Sequence, residues 1–174
     1  MLLEIGSIPE RFMNKILTIQ QAIEVSNKLK AGGKSIVLAG GCFDVLHIGH
    51  IDFLNEAKKR GDILFVLLES DEIIRKIKGN NRPINTQVDR ARILSALLSV
   101  DYVIILPQFT KDKEYDDIVT RIKPDIIATT EGDKNREHKE RQARLIGARV
   151  VDVVKNISNK STTKLIKLLS EDYL

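Results

Sequence analysis

The sequence predicts an α/β fold, a doubly wound parallel sheet of five strands with helices on both faces. Three observations lead there. Apolar runs of strand length alternate with stretches of helical spacing, and those runs are near-continuous in Val, Ile and Leu, as strands covered on both faces require. The first strand also leads directly into Gly40-Gly41-Cys42-Phe43-Asp44-Val45-Leu46-His47-Ile48-Gly49-His50, a glycine turn whose two histidines open a helix. Sheets of this class bind ligands beyond the carboxyl ends of their strands, which is where that turn falls.

Taken in order, residues 18–31 place Ile19, Ala22, Ile23 and Leu29 at helical spacing, and Gly32-Gly33 stops the helix. The first strand is 35–39, a helix follows over 51–60, and 63–68 is the second strand. A short helix at 71–77 precedes a Gly/Asn/Pro loop, after which Thr86 caps a helix running through 98. Strand three is 102–106 with a helix at 116–122, strand four is 125–129 with a helix at 134–146, and strand five is 150–154. A last helix covers 161–169. Residues 1–174 read as a single domain, with 1–33 a helical extension ahead of a core at 34–174.

The histidine stretch carries the chemistry. A helix N-terminus presents unpaired amides and about half a positive charge, so it binds phosphate without side-chain help. His47 and His50 are three apart, which sets both imidazoles on one side of the first turn. Gly49 between them leaves room for a ligand, and Gly40 and Gly41 permit the close backbone approach that a strand ending beneath a triphosphate needs. Zinc is the competing use of such a pair, but it needs further ligands, and only His138, Cys42 and carboxylates remain. The strand, glycine turn and helix together favour phosphate, and no protein-held metal site is expected. Gly32-Gly33-Lys34-Ser35 mimics the end of a P-loop but precedes a strand, where a P-loop must follow one.

Composition narrows the class. With one cysteine no internal disulfide can form, which fits a reducing, cytoplasmic setting. The longest apolar runs are strand-sized, so no membrane association is expected, and residues 1–14 carry Glu4, Glu10 and Pro9, unlike a secretory signal. A net charge of +4 raises the question of nucleic acid, yet the densest basic run, 134–144, interleaves Glu137 and Glu140 and reads as a solvated helix face. Aromatic residues make up 5% with no Trp, leaving few stacking platforms. Nucleic acid is therefore not the expected partner. Anionic small molecules sharing one cleft explain the charge as well.

At the histidine stretch the chain resembles the nucleotidyltransferase superfamily marked by a His-x-Gly-His signature. Beyond it, Lys78-Gly79-Asn80-Asn81-Arg82-Pro83-Ile84-Asn85, Asp89-Arg90 with Leu94, Val100-Asp101-Tyr102-Val103, Pro124-Asp125 and Ser161-Thr162-Thr163 resemble the adenylyltransferase domain of the ADP-heptose synthase family. The resemblance implies a Rossmann-like catalytic core and transfer of AMP from ATP to D-glycero-β-D-manno-heptose 1-phosphate. It also implies release of pyrophosphate and a homodimer, and Mg²⁺ is expected to accompany ATP. Glycerol-3-phosphate cytidylyltransferase shares the opening and a Ser-Thr-Thr near the end. Cytidylyl transfer to an alcohol phosphate, adenylyl transfer to an acceptor such as FMN, and a nucleotide-binding regulatory module without turnover are the alternatives.

A sugar phosphate is already largely dianionic at neutral pH, its second pKa being about 6, so the nucleophile needs no general base. His47 and His50 are accordingly assigned as donors to the triphosphate and transition state. The resemblance places Gly40, Gly41, Cys42, Phe43, Gly49, Arg90, Ser161, Thr162 and Thr163 at the nucleotide, and Asp44, Lys78 and Arg82 at the acceptor. Simpler roles compete: helix capping for the Ser-Thr-Thr, a surface ion pair for Arg90, a solvated pair for Lys78 and Arg82, packing for Cys42 and Phe43, and anchoring of the turn for Asp44. The chain departs from these relatives in three places. The family has a lysine and Gly-Gly-Asp-Tyr after its Pro-Asp strand, where this chain reads Ala128-Thr129-Thr130-Glu131-Gly132-Asp133. Relatives specific for CTP end in Arg-Thr-x-Gly-Ile-Ser-Thr and often carry a basic residue two past the second histidine, where this chain has Asn156-Ile157-Ser158-Asn159-Lys160-Ser161-Thr162 and Asp52. The missing Arg and the acidic Asp52 lean the donor toward ATP.

Overall fold

Strands rich in Val, Ile and Leu satisfy their backbone groups only against neighbours, and here they form one parallel sheet. The computed structural model describes residues 14–155. Its strands are β1 (Ile16–Leu17), β2 (Ile36–Gly41), β3 (Ile63–Leu68), β4 (Tyr102–Ile105), β5 (Ile126–Thr130) and β6 (Arg149–Val154). They stand side by side in the order β1-β4-β3-β2-β5-β6. The helices are α1 (Ile19–Ala31), α2 (Ile48–Lys58), α3 (Asp71–Lys78), α4 (Gln87–Ser95), α5 (Asp112–Ile122) and α6 (Arg136–Ile146).

Among the described residues the sheet has six strands, not five. The added strand is two residues long, too short to show a period of its own, and it is set by its neighbour: Ile16 and Leu17 align with Val103 and Ile104 of β4. Lys15 fastens it, its Nζ donating to the carbonyls of Val100 at 2.8 Å and Leu97 at 3.3 Å. Part of the stretch read as a helical extension thus belongs to the sheet.

Period-two alternation splits the core between the two faces. Val37, Ala39, Leu64, Val66 and Leu68 pack with Phe53, Leu54 and Ala57 of α2 and Ala91 and Leu94 of α4. Ile36, Leu38, Phe65 and Leu67 turn the other way, onto Ala22 and Ile23 of α1, Ile118, Val119 and Ile122 of α5 and Ala143 of α6. Helix starts follow local capping. Thr18 and Gln21 form a reciprocal box at α1, and the Ser70 and Thr86 hydroxyls accept from Ile73 and Asp89. Helix α5 begins at Asp112, four residues before the expected 116, because Glu114 gathers the amides of Thr110 and Lys111 at 2.7 and 2.8 Å. Its first turn is polar, so apolar spacing alone misses it. Helix α4 ends at Ser95 rather than 98. The helix expected at 161–169 lies outside the described residues.

The chain winds from β2 outward to β4, then returns to add β5 and β6 on the other side, so the switch point lies between β2 and β5. There the strands part. β2 is in register with β3 over all six residues, from Ile36 to Gly41, but with β5 only at Val37 and Leu38. The carboxyl end of β2 has no partner on β5, and a crevice opens beside Gly40 and Gly41.

Candidate functional site

Strand β2 runs through Gly40 and Gly41, and the chain then turns sharply at Phe43, whose φ of 46° is left-handed. The Phe43 ring folds back under Gly41, so closely that a Cβ there would stand 3.0 Å from the ring. That contact explains why the second residue of the pair is glycine, while a Cβ on Gly40 would meet nothing closer than 3.8 Å.

Behind the turn lies a buried charge pair. The Asp44 carboxylate is fully shielded and accepts from Arg82 Nε at 2.5 Å and from the amides of Ile84 and Asn85 at 2.8 and 3.0 Å. Burial alone would raise its pKa, but the hydrogen bonds from Asn85, Arg82 and Ile84 hold it below the ordinary carboxylate range. Arg90 is wholly buried, and its guanidinium donates to the carbonyls of Asn85, Cys42 and Glu69 and to the Asp71 carboxylate. With four of its five N–H groups donated to the protein and its side chain shielded, Arg90 fixes the turn, the end of β3 and the 82–85 loop to one another. Asp44 and Arg82, expected at the acceptor, are engaged with each other through Arg82 Nε, while Arg82 Nη2 is buried without a partner among the described residues.

Helix α2 starts where the turn ends. His47 is its N-cap, without a side-chain capping bond, and His50 lies in its first turn. The rings stack with centroids 3.8 Å apart, and Phe43 meets His50 edge-on at 5.2 Å. Nδ1 of each histidine is buried without a hydrogen-bond partner among the described residues. A buried polar atom left unpaired costs about 1–3 kcal/mol, so the pair is poised for a ligand that can satisfy it. Burial, the His47 ring and Lys78 push the His50 pKa down to about 4, opposed by a backbone hydrogen bond with Val45. Burial and Lys78 lower His47 in the same direction. Both imidazoles are neutral at pH 7.

Two cavities flank this turn. One, of about 380 Å³, is lined by Gly40, Gly41, Cys42, Phe43, His47, Gly49 and His50 together with residues 130–133, Lys139, Val154 and Lys155. The other, of about 500 Å³, opens on the α5 and α6 side, where Glu69 accepts from the Tyr115 hydroxyl at 3.0 Å. Burial raises the Glu69 pKa, which Tyr115 and Arg90 offset in part. Lys78 is exposed and lines neither cavity, although its charge reaches Cys42 and both histidines. Ser161, Thr162 and Thr163 lie outside the described residues. Sequence reasoning missed Glu69, Tyr115, Thr129, Asp133 and Lys139. Lys139 was hidden in the basic run read as a solvated face, and Glu69 sits just past a strand, a position that composition does not mark.

A family model described as cytidylyltransferase-like matches residues 38–168, from β2 onward. The chain belongs to the cytidylyltransferase-like family. The histidine turn lies within the matched region. Relatives include the bifunctional protein HldE of Aliarcobacter butzleri, 38% identical over 160 residues that make up 90% of this chain and 31% of that protein. HldE of Campylobacter fetus is 40% identical over 158 residues, 89% of this chain and 31% of the relative. The chain therefore spans about a third of the length of these curated relatives. Among solved structures, a lipopolysaccharide core biosynthesis protein from Thermoplasma volcanium is 33% identical with a TM-score of 0.55, covering 70% of this chain and 95% of that one. Pantoate-β-alanine ligase from Francisella tularensis shares the fold, with a TM-score of 0.57 at 16% identity over 91% of this chain and 77% of its own. Among the described residues no helix is long and apolar enough to cross a membrane.

Proposed function

We propose that the chain transfers AMP from ATP to a sugar phosphate, D-glycero-β-D-manno-heptose 1-phosphate, releasing pyrophosphate. The observation that carries the transfer reading is the pair of neutral, stacked histidines with unpaired Nδ1 atoms at the mouth of α2, on one side of a glycine turn with a second cavity on the other. The acceptor is supported by the motifs shared with the ADP-heptose synthase family, by relatives named bifunctional protein HldE and by the likeness to a lipopolysaccharide core biosynthesis protein.

In this reading the triphosphate occupies the histidine side, against the α2 amides, and the acceptor enters from the Glu69 side. An acceptor phosphate oxygen bonds to the α-phosphorus as the bond to the β-phosphate oxygen breaks, and the electron pair leaves with pyrophosphate. The acceptor is already anionic, so the protein needs no general base; its work is alignment and neutralisation of charge on the α-phosphate. Neutral imidazoles suit that work, donating hydrogen bonds without themselves titrating near pH 7. Among the described residues no group of three or more His, Cys, Asp or Glu side chains forms a metal cage. An Mg²⁺ carried in with the triphosphate would supply charge neutralisation there.

The test is pyrophosphate release in Mg²⁺ with each of ATP, CTP, GTP and UTP against heptose 1-phosphate, glycerol 3-phosphate and FMN. ATP with heptose 1-phosphate is the expected productive pair, and His47→Ala and His50→Ala each lower kcat by about 10²–10³-fold. A preference for CTP with glycerol 3-phosphate would replace both substrates in the proposal. Tight nucleotide binding without release for any acceptor would make the protein a regulatory module instead.

A further inference from the structure

The two cavities share one wall, formed by Gly40, Gly41, Cys42, Asp133 and Lys139. Transfer requires the acceptor oxygen and the α-phosphorus to touch, so if the substrates come from opposite sides they meet at that wall. Lys139 is the only cation in it. We propose that the Lys139 ammonium is the fixed positive charge at which the two phosphoryl groups meet, a catalytic residue held in place by Asp133 and Thr129. The proposal rests on the transfer reading above.

The local chemistry is built for holding an ammonium still. Lys139 reaches up from α6 and donates to Asp133 Oδ2 at 2.6 Å and to Thr129 Oγ1 at 3.1 Å. An ammonium has three protons to donate, so one remains for a phosphate oxygen. Thr129 is completely buried, and the Lys139 and Asp133 side chains, each 20% exposed, line both cavities. Asp133 is itself fully engaged, accepting from the Asn135 amide at 2.9 Å, the Thr129 hydroxyl at 2.6 Å and Lys139. Burial would raise its pKa, but the bonds from Lys139, Thr129 and Asn135 outweigh that and keep it anionic. A carboxylate so occupied anchors the ammonium and is not spare to meet an anionic substrate.

The ammonium reaches the end of β5 from the next helix, α6, where it rests against Thr129. During transfer it would sit beside the equatorial oxygens of the α-phosphate as the new P–O bond forms and the pyrophosphate bond breaks, with no proton exchanged.

The experiment compares wild type, Lys139→Met, Lys139→Arg and the double variant Thr129→Lys/Lys139→Met. Pyrophosphate release gives kcat and KM, and calorimetry gives affinity for ATP and CTP alone and for ADP-ribose and CDP-glycerol, probes that span both cavities. Lys139→Met is expected to lower kcat by about 10²–10³-fold while the nucleotide KM changes by less than about threefold. It weakens the spanning probe about tenfold, Lys139→Arg retains part of the activity, and the double variant recovers at least about tenfold of the lost kcat. An ion pair that merely supports the fold would instead lower the thermal midpoint, leave kcat per folded molecule unchanged and give no recovery by charge, and that result overturns the proposal. If the wild type turns over no acceptor, the transfer reading fails by itself. The probes then still decide Lys139: weakened binding in Lys139→Met but not Lys139→Arg upholds it, and unchanged binding overturns it. Binding of neither probe to the wild type overturns both.

Discussion

Asp44 and Lys78 show how differently two charged residues near one turn can be used. Asp44 is sealed behind the turn with Arg82, whose side chain is 10% exposed, whereas Lys78 stands in solvent. Removing one partner of a buried pair leaves the other charge unpaired, so Asp44→Asn is expected to lower the unfolding free energy by about 3 kcal/mol, read from urea midpoints. Lys78→Met should change it by less than about 0.5 kcal/mol. Equal effects of the two would sink this account of Asp44. The residue types of the site were legible in the sequence because glycines and histidines next to a strand have few other uses. Their partners were not. Arg82 and Asp44 are 38 positions apart, and Arg90 and Cys42 are 48 apart, so only the folded chain tells which cation faces a ligand and which is consumed by the protein.

Among the elements, α2 is unusual in its start. His47 occupies the N-cap but makes no capping bond, and no acidic residue sits in the first turn. A serine there would accept from an amide that is otherwise left for a ligand. His47→Ser is expected to stabilise the protein by about 0.5–1 kcal/mol and to lower turnover by about 10²-fold or more. Thermal melts and pyrophosphate release on the same preparation check both; a variant that loses stability along with activity would contradict the idea that the cap is left open for binding. Element identity was read well wherever apolar spacing was strong: β3 has the expected bounds, and every other expected element within the described residues is present with shifted ends. The missing strand β1 carries too few residues for any pattern, and the early start of α5 depends on Glu114 reaching back to two amides, a contact that periodicity does not encode.

For the molecule as a whole, the site makes stability depend on pH. His50 has an ordinary pKa of 6.5 when unfolded and about 4 when folded, so between these values the unfolded chain binds the extra proton. The contribution of His50 is thus fully present above pH 6.5 and is lost as pH falls toward 4, amounting to roughly 2–3 kcal/mol. Glu69 acts in the opposite sense: its raised pKa gives stability that is present below its ordinary 4.5 and is lost as pH rises through the folded value. The difference between wild type and His50→Asn isolates the first effect. Denaturant midpoints at pH 7 and pH 5 should show the wild type losing more than the variant, and parallel losses would refute the assignment. A polyanion bound beside the rings raises their pKa, so nucleotide binding below pH 7 is expected to take up protons.

The parting of β2 from β5 beyond Leu38 has a practical corollary for anyone mapping this site by mutagenesis. The wall that the strands leave open at Gly40 and Gly41 is main chain; no codon change removes a peptide C=O, and proline, which alone removes an N–H, also locks φ. An alanine scan would credit recognition to the histidines and lysines around the crevice, and at Gly41 it would report the clash with the Phe43 ring rather than the hold of the backbone on a ligand. Replacing single amides by esters in a semisynthetic chain would reveal how much of the grip on a phosphate belongs to the backbone, and hence how freely the side chains above it have been able to change in response to different acceptors.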